Sequence, residues 1–307
     1  MIAKTPSYWF QKPGVISYGL TPASFLYGIG RKAHIAMTRE QKVNIPVICI
    51  GNLIAGGSGK TPIVRAIFEL IKTHNLATNP VILTRGYGGD HGKVPYHLDH
   101  NAEITSGMSD EAALLSCTGP VIMAADRYQG ALHAETLGYD LIIMDDGFQN
   151  PGLYKDISIL VIDGTYGFGN QKLLPAGPLR EPVHDGMKRA QACIIIGEDS
   201  YGVANILPSH MPCFQAHIET DFSPDPTQSY IGFCGLAHPD KFKRTLTQQH
   251  ISLTDFIAYP DHYPYSQDDI TTLIKMAEQH KSRLLTTEKD AMRLISFNAN
   301  LESYLDI

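Results

Sequence analysis

The residues best suited to chemistry begin at Gly56-Gly57-Ser58-Gly59-Lys60-Thr61. Glycines at this density let backbone N–H groups converge on phosphate oxygens, Lys60 reaches β- and γ-phosphates, and the Thr61 hydroxyl is suited to ligate Mg2+. Ile54-Ala55 lead into this run, and Ile54 stands where the strict phosphate-loop pattern has glycine. A glycine-rich turn without nucleotide is the plainer alternative, and the strand-to-helix context disfavours it. A phosphate loop of this kind needs an acid at the end of a neighbouring strand to hold the metal. Leu141-Ile142-Ile143-Met144-Asp145-Asp146 supplies two, followed by Gly147-Phe148-Gln149, and Asp146 is the expected member of the ion's coordination sphere. Four further groups are candidates for the transfer step. Asp110-Glu111 opens a helix, where an aspartate is more often a cap than a base. Arg85-Gly86-Tyr87-Gly88-Gly89 follows a strand, and a turn with a solvated arginine is its plainer reading. Arg180-Glu181 closes the rigid Leu174-Pro175-Ala176-Gly177-Pro178-Leu179 loop and offers a guanidinium to transferring charge. Asp261-His262 is a pair able to share a proton.

These residues need elements to hold them. Short apolar runs at Val47 to Ile50, Val81 to Thr84, Val121 to Ala124, Leu141 to Met144, Ile157 to Ile162 and Ile194 to Ile196 read as strands buried on both faces of a parallel sheet. Helical patterns lie between them at Thr61 to Thr73, Asp110 to Cys117 and Asp126 to Leu137, and the alternation predicts an α/β fold, P-loop-like, with a mostly parallel sheet flanked by helices. The pattern loosens around Pro208 to Asp225. A second set follows: strand Tyr230 to Phe233, helix Lys241 to His250, strand Leu253 to Ala258, helix Ser266 to His280 and strand Arg283 to Thr286. A core of residues 1–211 and a smaller α/β domain of 212–307 are expected. Thr286-Thr287-Glu288-Lys289-Asp290 loosely evokes a guanine-reading motif, but Lys289 directly precedes Asp290, so guanine specificity is discounted.

The 25 Lys and Arg against 31 Asp and Glu leave a net charge of −6, which argues against a general nucleic-acid binder. The charge is uneven. Residues 1–42 carry Lys4, Lys12, Arg31, Lys32, Arg39 and Lys42 against Glu40 alone, together with Trp9, Tyr18, Phe25 and Tyr27. No run there reaches the roughly 18 apolar residues of a membrane span, and no secretory signal is recognisable. The five cysteines are scattered, with no Cys-x-x-Cys pair, and suit a reducing compartment.

Taken in order, Gly51-Asn52, Gly56 to Thr61 with Pro62, Arg85-Gly86-Tyr87-Gly88, Asp110-Glu111, Asp126-Arg127, Asp145 to Gln149, Leu174 to Glu181, Pro260-Asp261-His262 and Thr287 to Asp290 run almost the length of the chain. This constellation resembles the tetraacyldisaccharide 4'-kinase family of lipid A biosynthesis, which shares the displaced first glycine. The resemblance implies a Mg-ATP-dependent kinase. It would transfer the γ-phosphate to the 4'-hydroxyl of an acylated glucosamine disaccharide 1-phosphate. Asp110 would be the base, tuned by His262 from the smaller domain. Thr61, Glu111 and Asp146 would surround Mg2+, while Lys60 and Arg180 would neutralise phosphate charge. The resemblance further implies a cytoplasmic protein, peripheral on the inner face of the inner membrane through its basic N-terminal segment, and a monomer is expected. Two positions depart from the family pattern. Asn150 stands where histidine is common after Asp-Gly-Phe-Gln, and Tyr263 stands where a second histidine is frequent. A nucleotide-hydrolysing switch and a nucleotide-regulated membrane adaptor are the alternative readings. Labelled phosphate appearing in lipid would separate the kinase from both.

Overall fold

The computed structural model describes residues 5–56, 59–86, 94–100, 108–219, 222–223, 225–236, 239–294, 301 and 303–307. Gly57, Ser58, Tyr87 and Gly88, all singled out in the sequence, lie outside the described residues. The chain divides into two compact units, one of Pro6–Ile218 and one containing Glu219–Ile307.

The first unit opens with helices α1 (Val15–Gly19) and α2 (Thr21–Met37). Strand β1 (Val47–Gly51), helix α3 (Lys60–Thr73), β2 (Pro80–Thr84), β3 (Tyr96–Leu98), α4 (Asp110–Ser116), β4 (Val121–Met123), α5 (Arg127–Thr136) and β5 (Leu141–Asp145) follow, then β6 (Ile157–Asp163), α6 (Val183–Met187), β7 (Ala192–Ile196) and β8 (Cys213–Ala216). The eight strands form one sheet in the order β3-β4-β2-β5-β1-β6-β7-β8. All pairings are parallel except β3 with β4.

The alternation of side chains along the central strands makes two cores. Val47, Cys49, Val81, Leu83, Ile142 and Met144 pack with Ala131 and Ala134 of α5 and Met187 of α6. Ile50, Ile82, Leu141 and Ile143 pack on the opposite face with Ile63, Val64, Phe68 and Ile71 of α3 and with Ala112 and Leu115 of α4. Strands covered on both faces are apolar at every position, which is why the runs are continuous and not alternating. β8 pairs with β7, so Cys213–Ala216 belongs with the larger unit and the division falls after Ile218, beyond the expected residue 211.

The second unit holds β9 (Tyr230–Cys234), α7 (Pro239–Gln248), β10 (Leu253–Ala258), α8 (Gln267–His280), β11 (Arg283–Leu285), α9 (Glu288–Leu294) and β12 (Leu305–Asp306). Its four strands are parallel in the order β10-β9-β11-β12. Ser266 and Asp269 form a reciprocal capping box at the start of α8, satisfying two helix N–H groups that would otherwise lack partners.

Candidate active site

In a parallel sheet the carboxyl ends of the strands share one edge, and ligands gather there. β1 runs into the phosphate loop at this edge. Gly59 precedes α3 at φ +75°, a left-handed conformation that favours glycine, and a Cβ there would press on the tip of Ile196 at 2.6 Å. Lys60 and Thr61 form the first turn of α3, where peptide N–H groups and the helix dipole favour an anion. The start of the loop is pinned by the Pro/Gly loop. Ala55 N donates to Pro178 O at 2.8 Å, Arg180 N donates to Leu53 O at 2.8 Å, and Ile54 bridges Leu179. That backbone pairing brings Arg180 beside the phosphate loop across more than a hundred residues of sequence.

β5 is the immediate neighbour of β1, with Asp145 opposite Ile50. Asp145 is 2% exposed, and its Oδ1 has no hydrogen-bond partner among the described residues. Burial pushes its carboxyl up to about 7, against the pull of Lys60 and with a further push from Glu111 and Asp146. Asp146 adopts φ +49°, a left-handed conformation uncommon outside glycine and tolerated best by Asn and Asp. Its N–H donates to Ile50 O at 3.0 Å. Arg180 Nη1 donates to both of its carboxylate oxygens at 2.9 and 3.0 Å, and Lys60 Nζ lies 3.7 Å away. Burial raises the Asp146 carboxyl, but Lys60 and Arg180 outweigh it and hold the group below the usual carboxylate range.

Gln149 stitches these pieces together. Its amide donates to Asn52 O at 2.7 Å and to Glu181 Oε1 at 3.0 Å, and its oxygen accepts from Arg180 at 3.2 Å. Glu181 is fully buried between Arg31 of α2 and Arg189, which donates at 2.7 and 2.8 Å. Tyr27, also on α2, donates its hydroxyl to Arg180 O at 3.1 Å.

Ser109 caps α4 by accepting from Ala112 N. The capping role that competed for Asp110 is therefore taken by its neighbour, and Asp110 and Glu111 both stand in the first turn, half-buried. Arg85 is exposed directly after β2. Asp261 and His262 belong to the second unit, at a turn after β10.

The two departures from the family pattern have structural uses. Asn150 Oδ1 accepts from the N–H groups of Gly152 and Leu153, closing a turn. Tyr263 stacks on Tyr259 with ring centroids 4.7 Å apart and donates to Asp269 at 3.3 Å.

The sequence assigned no role to Arg127 or Arg189, and placed Arg31 and Tyr27 only in the basic, aromatic N-terminal segment. Arg127 is buried beside the acidic pair and donates to Ala124 O at 2.6 Å; burial, followed by Arg85, lowers its pKa to about 10. The pairing of Asp126 with Arg127 was its only signal. Arg31 and Tyr27 act across about 150 residues of sequence, which leaves no local pattern, and Arg189 reaches Glu181 from eight residues on.

Among the described residues, no group of three His, Cys, Asp or Glu side chains encloses a metal site. A nucleotide-borne Mg2+ needs only one or two carboxylates, since phosphate oxygens and water complete its shell. The buried, unpartnered Oδ1 of Asp145 beside Asp146 fits that requirement.

A phosphate loop between a parallel strand and a helix, with paired aspartates ending the adjacent strand, defines a P-loop kinase fold. Comparison with known proteins narrows the class. Residues 16–306 match the family described as tetraacyldisaccharide-1-P 4'-kinase. A tetraacyldisaccharide 4'-kinase of Rhodospirillum centenum is 36% identical over 302 residues, 95% of this chain and 88% of the relative. One from Gluconacetobacter diazotrophicus is 41% identical over 277 residues, 90% and 84% of the two chains. A crystal structure of LpxK from Aquifex aeolicus in complex with ATP superposes with a TM-score of 0.74 at 28% identity, covering 95% of this chain and 92% of that one. The chain belongs to the tetraacyldisaccharide-1-P 4'-kinase family.

Proposed function

We propose that this chain transfers the γ-phosphoryl group of ATP to the 4'-hydroxyl of an acylated glucosamine disaccharide 1-phosphate at a membrane surface. The observation that carries the reading is the convergence of Lys60, Arg180 and the Asp145-Asp146 pair at the mouth of the phosphate loop. Phosphoryl transfer requires positioning and charge screening more than covalent chemistry. Lys60 and Arg180 supply cations where charge on the phosphoryl oxygens is shared, and their present grip on Asp146 keeps both oriented toward that point. Asp110 takes the proton from the sugar hydroxyl, and His262 contributes to the transfer. Thr61, Glu111, Asp146 and the buried Asp145 are the residues that would hold Mg2+. When bound, the ion adds charge neutralisation to the phosphate oxygens.

The lipid substrate requires contact with a surface. No helix among the described residues is long and apolar enough to cross a membrane. Helices α1 and α2 expose Val15, Ile16, Tyr18, Phe25, Leu26, Ile29 and Met37, with Phe25 69% and Leu26 68% exposed. Lys12, Lys32 and Arg39 are exposed in the same segment, whereas Arg31 and Lys42 are engaged by Glu181 and Asp156. Exposed cations of this kind contribute about 1 kcal/mol each at an anionic surface. Trp9 is held elsewhere, donating its indole N–H to Pro175 O at 3.1 Å, so the exposed aliphatic and aromatic face of α1 and α2 is assigned to lipid. The test follows γ-labelled ATP with and without the disaccharide monophosphate acceptor. Label in the lipid supports the kinase reading; release of free phosphate regardless of acceptor would overturn it.

A further inference from the structure

The sequence motif still without a role is Thr287-Glu288-Lys289-Asp290, at the start of α9. Asp290 is 0% exposed. Its Oδ1 accepts from Gly235 N at 2.9 Å, the Tyr265 hydroxyl at 3.0 Å and Arg293 Nη1 at 2.8 Å, and its Oδ2 accepts from the Thr287 hydroxyl at 2.7 Å. Four donors satisfy this buried carboxylate and hold it in a single local arrangement. Burial and the Asp290 carboxylate push the Tyr265 hydroxyl up, so the phenol remains a donor. A carboxylate engaged in this way by its own chain is not presented to a guanine base.

Gly235 carries this network to His262. Its N–H is held by Asp290, while its carbonyl accepts from the His262 backbone N–H at 3.2 Å and from Arg293 Nη1 at 3.2 Å. A Cβ at position 235 would lie 3.1 Å from each of Arg293 Nη1, Asp290 Oδ1 and Pro260 O, so glycine permits the close approach. His262 has φ +53°, a conformation that costs a non-glycine residue about 1 kcal/mol or more and persists only when its surroundings hold it. From the side-chain direction, Lys289 Nζ is 3.5 Å from His262 Nε2. An ammonium can only donate, so with a neutral imidazole this contact favours the tautomer with its lone pair on Nε2 and its proton on Nδ1.

We propose that Asp290 is a positioning residue for His262. Through the Gly235 peptide it fixes the strained turn that carries the imidazole, and the adjoining Lys289 sets the ring tautomer so that Nδ1–H is the donating edge. This inference rests on His262 contributing to phosphoryl transfer.

The test uses the full chain with ATP and the disaccharide monophosphate, measuring kcat, acceptor KM and ATP dissociation constant for His262→Ala, Asp290→Asn and the double variant. Asp290→Asn is expected to lower kcat by roughly tenfold to a hundredfold with ATP binding within about twofold, and to add no further loss in the His262→Ala background. Independent, multiplying losses would overturn the proposal while leaving His262 in place. Unchanged kcat in His262→Ala would overturn the reading of His262 and the proposal with it. If Asp290→Asn fails to fold, Lys289→Met at the half-buried neighbouring position carries the test. The 15N ring signals of His262 should show protonation on Nδ1 in the parent and lose that preference in the variant. An unaltered tautomer would overturn the proposal.

Discussion

Arg180 holds Asp146 by a single nitrogen placed between both carboxylate oxygens, at 2.9 and 3.0 Å. The aspartate is at once the first residue beyond β5, a left-handed backbone position and the meeting point of Arg180 and Lys60. Replacing Arg180 by Ala therefore removes a screening cation and leaves Asp146 with Lys60. We expect a loss of about a hundredfold or more in kcat from removing such a group. Arg180→Lys should recover part of the loss, because Arg180 reaches Asp146 and Gln149 through one nitrogen, Nη1, and an ammonium keeps the charge though not the guanidinium's reach. Steady-state kinetics with the lipid acceptor decides it.

Lys60→Ala should abolish phosphoryl transfer with the fold intact, since Lys60 is a half-buried side chain at a helix start and belongs to neither core of the larger unit. Circular dichroism should be unchanged while product formation vanishes. Retained turnover would remove the phosphate-loop assignment.

Asp145 predicts a pH dependence of stability in protein free of metal and nucleotide. Its folded pKa of about 7 lies above the ordinary 3.8. The native state then binds the proton more tightly than the unfolded chain, so this group's stabilising contribution is full below about pH 4. It is lost as the pH rises toward 7, by up to about 4 kcal/mol. Asp145→Asn, which keeps the shape and deletes the charge, should raise Tm at pH 8 and leave it nearly unchanged at pH 4 while activity falls. A Tm difference of the same size at both pH values would contradict this account.

Phe25→Asp with Leu26→Asp should weaken binding to anionic liposomes by tenfold or more, given about 1.5–3 kcal/mol per large apolar side chain buried. Turnover on detergent-dispersed substrate should persist, because neither side chain belongs to the described cores. Cosedimentation at two salt concentrations measures it. Deleting residues 1–37 is a poorer probe, since it also removes Tyr27 and Arg31 from Arg180 and Glu181.

Glu181→Ala should destabilise the larger unit by about 3–5 kcal/mol, because it leaves the Arg31 guanidinium uncompensated in a largely buried position. Urea unfolding of the variant checks the magnitude.

Much of this was legible in residue order. Runs such as Val47 to Ile50 and Leu141 to Met144 became β1 and β5 because unbroken apolar strands have few homes other than a sheet covered on both faces. Helix α2 was not legible. Gly28 and Gly30 interrupt its pattern, and its hydrogen bonds to Leu173 and Arg180 supply support that propensity does not. The edge strands β3 and β8 are short and lean on neighbours already in place.

Residue order alone establishes the chemistry available: a glycine-rich loop with Lys60-Thr61, paired acids after a buried strand, and an arginine on a rigid loop. These are local patterns, set by backbone conformation and strand burial, and local patterns survive in one dimension. Only the tertiary structure separated the two aspartates, since burial raises Asp145 while Lys60 and Arg180 hold Asp146 down. It alone linked Asp290 to His262 through Gly235, 55 residues away from the aspartate. Such distinctions depend on which groups meet after the chain has crossed from strand to strand, and on how much water is left around them.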